Sequence, residues 1–594
     1  MLFLSFPCRM RSTCTEMRKP SVALFLLALF RFPLVMPRFR SVAAVFSIFK
    51  KLCFNCLFAV VMAAVFLGND WLFSQYQEKY AFAFTFRRFF GFFLFLFLVS
   101  LSYRNRFVFG FFLLSGLMAF SEMLHLNIYG SLLSPFTYYV LLRELGEVAV
   151  ASGEYLHFAL VPLCFLAGMV ASSWIATKWF GKRRLRIRYF FLFVVFLFLF
   201  LPVRSYFIKD KFGTRADSHA SLFYNSYSTL SYFVSHVVPR KTFASNRSAT
   251  SDVGIEAPRI HRPKPDVNFV LVLGESLGFK YTSLFGYEKE TTPFLKSMTK
   301  DDRFIHKKAI SCGVSTDVAV PTYLNMACEL GASVRIAGEK TCLFKMAKEN
   351  GFGTYFFSAQ SGDSLKGLIN YYCPKYIDLF RGAFEILGKR DYYTALRDKA
   401  LIEELDRVDF SKSNFIVLQQ RTSHIPYESN YPAEFDIFKK ENGTFRENMK
   451  NSFLNSIRYT DSFLEEVFRY LRRKAEKKRT YLMFFSDHGE AMGEGGRWGH
   501  LQLYPEQYEV PFFIYDFQKG PPTPLMRKID ERKAFFTFNQ IAQISAYILG
   551  YNRDFFSERN FTYVIGRDME GFDGYLEIEF EGENVTKIER KIAE

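Results

Sequence analysis

Cysteine, proline and glycine are scarce in this 594-residue chain, at 9, 21 and 35 residues. This composition excludes a disulfide scaffold, a collagen and a low-complexity disordered protein. Acidic residues are outnumbered, with 58 Asp and Glu against 76 Lys and Arg, so the net charge is +18. No internal repeat is found. Hydrophobic residues reach 50%, and the excess of phenylalanine, which totals 73 residues, is concentrated in the first third, which argues against an ordinary soluble enzyme.

The first 207 residues hold five apolar stretches that approach the roughly 20 residues needed to cross the hydrocarbon core of a membrane. They lie near 52–68, 89–103, 107–127, 156–178 and 189–207. A sixth stretch, 21–36, is interrupted by Arg31 and Pro33. Residues 1–35 are therefore either an extension ahead of a natural start at Met36 or a weakly inserted helix.

Basic residues near the ends of these stretches predict their orientation, because Lys and Arg are retained on the cytoplasmic side. The loop between the fourth and fifth stretches carries only basic charge: Lys178, Lys182, Arg183, Arg184, Arg186 and Arg188. Arg87 and Arg88 favour the opposite orientation, but the basic loop weighs more. The sequence thus predicts five spans, with all residues after 207 on the outer side of the membrane.

Because the inner loops account for much of the positive charge, no nucleic-acid partner is expected.

We divide the chain into a basic N-terminal segment (1–51), a transmembrane domain (52–207), a polar linker with a surface helix (208–265) and an exported domain (266–594). In the last of these, short apolar runs alternate with longer amphipathic stretches. This alternation is typical of an α/β domain whose mainly parallel central sheet is covered on both faces. In the final segment, 562–580, apolar and polar residues alternate in the way that is typical of antiparallel edge strands.

The cysteines fall into two groups. Cys53 and Cys56 form a C-x-x-C inside a span, where small buried hydrophobic residues are expected rather than redox or metal chemistry. The exported domain is in a compartment that permits disulfides. This domain has four cysteines: Cys312, Cys328, Cys342 and Cys373. At least one disulfide bridge is predicted among them, but the sequence does not specify which residues pair.

Candidate functional residues follow two apolar strands. Glu275 comes directly after VNFVLVLG, and Asp487 and His488 follow TYLMFFS. Functional groups gather at the carboxyl ends of strands in open α/β sheets. Two carboxylates and an imidazole suit zinc, so these three residues are candidate ligands.

A fourth ligand would also be the reacting group. In SCGVSTDVAVP, Gly313 permits a sharp turn before a predicted helix start, where backbone N–H groups can hold a phosphate. Zinc would lower the pKa of a hydroxyl at this point and make it a nucleophile. Ser315 and Thr316 are both candidates.

Four ordered segments resemble bacterial phosphoethanolamine transferases, inner-membrane members of the alkaline phosphatase/sulfatase superfamily, some of which modify lipid A. The segments are NFVLVLGESLGFKYTSLFGYEKETTPFL, SCGVSTDVAVP, SHIPYESNYP and SDHGEAMGEGGRWGH. The resemblance implies that Thr316 is the nucleophile. It further implies zinc ligation by Glu275, Thr316, Asp487 and His488. His424, His500 and Lys366 match residues near the transferred group, and the two histidines would hold the phosphate or a second zinc.

The chain departs from the family pattern at two places. Similar enzymes often have a second cysteine at the position of Thr322, and it forms a disulfide with the cysteine that corresponds to Cys312. Because this chain has threonine there, Cys312 has either another partner or none. The loop 128–155 does not match the Asn-Thr-Glu helical spacing that related lipid A modifiers use near the donor head group. The second departure puts the acceptor in doubt more than the chemistry.

The expected activity is transfer of phosphoethanolamine from phosphatidylethanolamine to lipid A, lipopolysaccharide core or another envelope glycan. A monomer in the bacterial inner membrane, with its catalytic domain in the periplasm, is predicted. The alternatives are a phosphoglycerol transferase and a non-catalytic membrane scaffold. A sulfatase is excluded, because Cys373 is followed directly by Pro374 and Lys375, which breaks the C/S-x-P-x-R motif.

Overall fold

Apolar helices dominate the N-terminal part of the computed structural model. The residues it describes are 42–143, 145–208, 219–239, 265–388, 394–439, 441–475, 478–532, 535–551, 561–582 and 584–591. The N-terminal helices are α1 (Val42–Tyr76), α2 (Phe86–Ser100), α3 (Asn105–Tyr129), α4 (Pro135–Arg143), α5 (Leu145–Phe180), α6 (Phe190–Ile208) and α7 (Leu222–Tyr232). The two alternatives for residues 1–35, and most of the predicted linker, lie outside the described ranges.

Three of these helices are long and apolar enough to cross a membrane: Val42–Tyr76, Asn105–Tyr129 and the part of α5 from Tyr155 to Phe180. Helices α2 and α6 coincide with two further predicted spans, but the five-span count stays a prediction. Large side chains of α1 and α3 form a shared core, in which the rings of Phe58 and Phe112 lie 5.8 Å apart. Helix α7, in the predicted linker, packs against α3 and buries most of its side chains.

The C-terminal part is an α/β domain. Its strands are β1 (Val267–Gly274), β2 (Phe304–Ile310), β3 (Gly353–Ser358), β4 (Leu379–Arg381), β5 (Asn414–Gln419), β6 (Arg479–Ser486), β7 (Ala491–Met492), β8 (Trp498–Gly499), β9 (Glu509–Asp516), β10 (Phe536–Thr537), β11 (Phe561–Ile565), β12 (Tyr575–Glu581) and β13 (Asn584–Lys591).

The helices of this domain are α8 (Pro293–Met298), α9 (Thr316–Leu324), α10 (Ala332–Gly338), α11 (Leu343–Glu349), α12 (Gly362–Leu365), α13 (Ala383–Ile386), α14 (Ala400–Glu404), α15 (Phe445–Lys474), α16 (Pro505–Tyr508), α17 (Pro524–Glu531) and α18 (Phe538–Ile548).

The main sheet has eight strands in the order β10-β2-β9-β6-β1-β5-β3-β4, and only β9 runs antiparallel to its neighbours. Side chains of β1 alternate between two buried cores, with Phe269 and Leu271 on one face and Val270 and Val272 on the other. Burial on both faces explains the near-continuous apolar runs. The predicted mainly parallel sheet is therefore present.

The C-terminal strands differ from the prediction in one respect. β11, β12 and β13 are antiparallel, as their alternation indicates, but they form a separate three-stranded sheet and not an edge of the main one. β12 pairs with β11 on one side and with β13 on the other, so its backbone hydrogen bonds are satisfied within the small sheet.

The prediction of at least one disulfide is confirmed by the pair Cys342–Cys373, which are 31 positions apart. Cys312 and Cys328 are free and buried, and the Cys312 Sγ atom lies 3.0 Å from the Thr322 hydroxyl. Thr322, which stands where the family pattern has a cysteine, thus contacts Cys312 without a covalent bond.

Replacing both Cys342 and Cys373 by serine is expected to lower the free energy of unfolding by about 3–4 kcal/mol, because the open chain gains conformational entropy. A thermal melt of the purified protein should show a lower midpoint. Cys53 and Cys56, which the sequence predicted to be buried, lie instead on the exposed surface of α1, so Cys53→Ser is the control. An unchanged midpoint in the double variant would contradict a stabilising bridge.

Candidate active site

The candidate site lies at the carboxyl ends of the central parallel strands. β1 and β6 pair in register so that Gly274 stands opposite Ser486, and the next residues, Glu275 and Asp487, leave the sheet side by side. A Cβ atom at residue 274 would lie 2.8 Å from the Phe484 ring, so only glycine permits this close packing. Strand register therefore brings together two carboxylates that are more than 200 positions apart in the sequence.

Thr316 reaches the same place from the loop after β2. This loop packs closely against the first turn of α9, because a Cβ atom on Gly313 would lie 2.9 Å from the backbone nitrogen of Ala319. Ser315 is the N-cap residue of α9, and Thr316 is its first helical residue. The tight turn thus presents the Thr316 hydroxyl to the strand ends.

The Thr316 hydroxyl contacts all three candidate ligands. Its Oγ1 atom donates a hydrogen bond to Asp487 Oδ2 at 2.7 Å and lies 3.4 Å from Glu275 Oε2. It also lies 3.4 Å from His488 Nε2. One ligand atom from each of these three residues lies within 4.8 Å of the others, and all three residues are buried.

The electrostatics of this cluster fit a bound cation. Burial, together with the neighbouring Asp487 carboxylate, raises the pKa of Glu275 to about 8. Burial alone would lower the pKa of His488, but the carboxylates of Asp487 and Glu275 outweigh it and the pKa is raised. Two carboxylates and an imidazole converging in a buried space are a donor set suited to zinc.

The predicted histidines lie beside this cluster. The ring centroids of His488 and His500 are 4.4 Å apart, and those of His424 and His500 are 6.0 Å apart. His500 Nδ1 lies 2.9 Å from a carboxylate oxygen of Glu490. Ligand atoms of His488, Glu490 and His500 also converge within 4.8 Å, which gives a second group able to hold a metal.

Lys366 is placed differently from the other predicted residues. It follows α12 and is exposed, and it is not among the described residues that line the cavity beside Thr316. Its predicted contact with the phosphoryl group stays a prediction.

Sequence reasoning missed three buried residues of the site. Gln360 donates from Nε2 to Glu275 Oε2 at 2.8 Å, and Arg421 donates to Gln360 Oε1 at 2.9 Å. The positive charge of Arg421 partly offsets the burial of Glu275 by lowering its pKa. The signal for both was available, since each follows the end of a strand, β3 or β5. Glu490, the third, stands two residues after His488.

A cavity of about 500 Å³ opens beside Thr316 and extends between the two parts of the protein. The wall that belongs to the α/β domain includes Thr316, His424 and His500, and the opposite wall is built from α3, α4 and α5. Leu124 and Leu156 are among the apolar side chains on that opposite wall. The cavity can accommodate an amphiphile whose polar group meets Thr316.

Comparison with known proteins gives a consistent result. Residues 267–546 match the family model described as Sulfatase. The chain is 27% identical over 262 residues to phosphoethanolamine transferase EptA of Helicobacter pylori, a match that covers 41% of this chain and 47% of the relative. It is 24% identical over 274 residues to a Kdo(2)-lipid A phosphoethanolamine 7''-transferase of Salmonella typhimurium, covering 44% and 46%. The matches thus span less than half of each relative's length.

Among solved structures, integral membrane lipooligosaccharide phosphoethanolamine transferase A of Neisseria meningitidis aligns with a TM-score of 0.53 at 17% identity. The alignment covers 84% of this chain and 95% of that protein, so both the helical part and the α/β domain share its fold. Residues 267–546 are thus similar in sequence to the Sulfatase family, and the chain resembles phosphoethanolamine transferases in sequence over less than half of its length and in fold over most of it.

Proposed function

We propose that this protein transfers phosphoethanolamine from phosphatidylethanolamine to lipid A, lipopolysaccharide core or another envelope glycan. One observation carries the proposal: the Thr316 hydroxyl lies within 3.4 Å of three buried candidate metal ligands and lines a cavity with an apolar wall. A nucleophile in that position can reach the phosphodiester of a lipid. The similarity to transferases that act on lipid A supports the choice of acceptor class.

Glu275, Asp487, His488 and Thr316 would hold one zinc ion, and His488, Glu490 and His500 offer a place for a second. Bound zinc supplies positive charge that lowers the pKa of the Thr316 hydroxyl and stabilises phosphoryl oxygens. Gln360 orients the Glu275 carboxylate through its hydrogen bond, as groups behind a ligand commonly do.

In the first step, Thr316 Oγ1 attacks the lipid phosphorus. The Oγ1–phosphorus bond forms and the phosphorus–oxygen bond to glycerol breaks. Asp487, which accepts the Thr316 hydrogen bond, is placed to take the proton. His500, whose Nδ1 atom is held by the Glu490 carboxylate, is placed to give a proton to the departing diacylglycerol oxygen. A phosphoethanolamine ester of Thr316 remains.

In the second step, a hydroxyl or phosphate oxygen of the acceptor attacks the same phosphorus. The Oγ1–phosphorus bond breaks, Thr316 regains the proton that Asp487 took, and an acceptor hydroxyl gives its proton to His500, which lost one in the first step. His424 and His500, with Lys366 if it reaches the site, would balance the negative charge that develops on the phosphoryl oxygens.

The membrane part serves the chemistry because donor and acceptor are both amphiphiles. We propose five spans in the bacterial inner membrane, a periplasmic catalytic domain and a monomeric protein. The apolar helices beside the cavity would let a lipid remain partly in the bilayer while its head group meets Thr316.

Mass spectrometry tests the proposed function. Envelope lipids and glycans from cells with and without the gene should differ by one phosphoethanolamine on a defined sugar. The purified protein, incubated with phosphatidylethanolamine vesicles and no acceptor, should carry phosphoethanolamine on the peptide that contains Thr316. A phosphoglycerol adduct after incubation with phosphatidylglycerol would instead support the phosphoglycerol alternative, and no adduct with either lipid would contradict both activities.

A further inference from the structure

We propose that Arg143, with Ser315, forms the anion-binding subsite that positions the phosphodiester of the lipid donor beside Thr316. This inference rests on the proposed function. It adds a residue from the helical part of the protein to the site and gives that part a direct role in donor recognition.

The first observation is the placement of the Arg143 guanidinium. Arg143 is the last residue of α4, yet its side chain pairs with the carboxylate of Asp317, the residue directly after Thr316. The side chains of Arg143 and Asp317 are each only 18% exposed. Its guanidinium also lies 5.6 Å from the centroid of the Tyr139 ring. A cation from the helical part is thus fixed next to the nucleophile.

The second observation is that Arg143 and Thr316 line the same cavity. The planar guanidinium has five N–H donors, and a carboxylate uses at most two of them in a forked pair. Guanidinium geometry suits phosphate oxygens as well as carboxylate oxygens. Arg143 can therefore keep its contact with Asp317 and still donate to a phosphodiester oxygen in the cavity.

The third observation concerns Ser315. This residue is 6% exposed and lines the cavity, and its Oγ atom makes no hydrogen bond within the described part of the chain. It does not cap α9 through its side chain, although it occupies the N-cap position. A buried hydroxyl without a partner is costly, so a polar ligand is expected there. A phosphate oxygen at the N-terminus of the nine-residue helix α9 would satisfy it.

The electrostatics of the cavity favour the donor's phosphodiester as that ligand. Arg567, a second cation in the wall, is held by Asp573 and by the Thr137 hydroxyl, which fix it against the first turn of α4. A phosphodiester anion that enters a cavity with apolar walls loses much of its hydration, so it requires cations placed in advance. Of these two cations we assign Arg143 to the subsite, because its partner, Asp317, directly follows Thr316 in the chain.

The half-reaction without acceptor tests this inference. The initial rate of Thr316 adduct formation is measured against phosphatidylethanolamine concentration in mixed micelles. Arg143→Gln is expected to raise the KM for the lipid about tenfold to a hundredfold, with a smaller change in kcat, as for the loss of a charged hydrogen bond to the bound lipid. Arg143→Lys should recover part of the effect, and Ser315→Ala should raise the KM by a smaller factor.

Two variants separate recognition from a structural clamp. Arg381→Gln breaks a comparably shielded ion pair, with Glu404, away from the cavity, and should keep the wild-type KM. Asp317→Asn keeps a side chain that can contact the guanidinium but removes a negative charge that opposes an anion in the cavity, so it should lower the KM. If Arg143→Gln and Asp317→Asn raise the KM alike, the contact is only a clamp and the inference is overturned.

The remaining outcomes are also decisive. A wild-type KM in Arg143→Gln overturns the inference while leaving the proposed function intact. If that variant forms the adduct normally but is slow in transfer to a lipopolysaccharide acceptor, the anion belongs to the acceptor and the donor assignment is wrong. Absence of the adduct in the wild-type protein, by contrast, is a failure of the proposed function itself.

Discussion

Thr316→Ala is expected to reduce phosphoethanolamine transfer by about a thousandfold or more, because no other group replaces an attacking oxygen. The substitution should leave the fold intact, since residue 316 begins α9 and alanine favours helices. Transfer to the acceptor and the mass of the peptide that contains residue 316 are the two measurements.

Thr316→Ser is the matched control for this experiment, because it keeps a hydroxyl at the same backbone position. It should form the adduct and retain part of the activity. An alanine variant that still transfers phosphoethanolamine at the wild-type rate would show that the nucleophile lies elsewhere.

Removing the metal should have the next largest effect, at least about a hundredfold loss of transfer. Without a cation, burial and repulsion by the Asp487 carboxylate both disfavour the charged form of Glu275, and its pKa is raised. Chelation followed by dialysis is expected to abolish adduct formation, and added Zn²⁺ should restore it. Glu275→Gln should lower the zinc content of the purified protein, measured by elemental analysis.

Asp461→Asn is a suitable control, because this buried carboxylate accepts hydrogen bonds from the backbone of Phe294 and Leu295 and lies outside the candidate site. Its zinc content should match that of the wild-type protein. Full turnover by a protein shown to be free of metal would refute the metal-assisted reaction.

Much of the candidate site was predictable because it follows strand ends. Glu275, Asp487 and His488 each come after an apolar run, and parallel strands deliver their next residues to one edge. Thr316 was one of two hydroxyls that the local sequence allowed, and family resemblance selected it. The structure places its Oγ1 atom against the three predicted ligands, and the roles of these residues await the experiments above.

Other features of the site depend on contacts that local patterns do not specify. Gln360 and Arg421 follow strand ends, as the ligands do, but their partners, like that of Glu490, are decided by side-chain packing. The pairing of Cys342 with Cys373 was one of several possibilities until the chain was folded. The antiparallel direction of β9 has no marker in its apolar sequence, because burial on both faces gives the same run in either direction.

The sequence by itself determined the division into an apolar helical part and an α/β domain, because hydrophobic length and periodicity are local properties. It also determined which residue types stand at the strand ends. Only the tertiary structure decided that β1 and β6 are neighbours in register, that α3, α4 and α5 close a cavity over Thr316, and that Arg143 meets Asp317. Those contacts join residues far apart in the chain, and packing of the whole molecule selects them where local spacing does not.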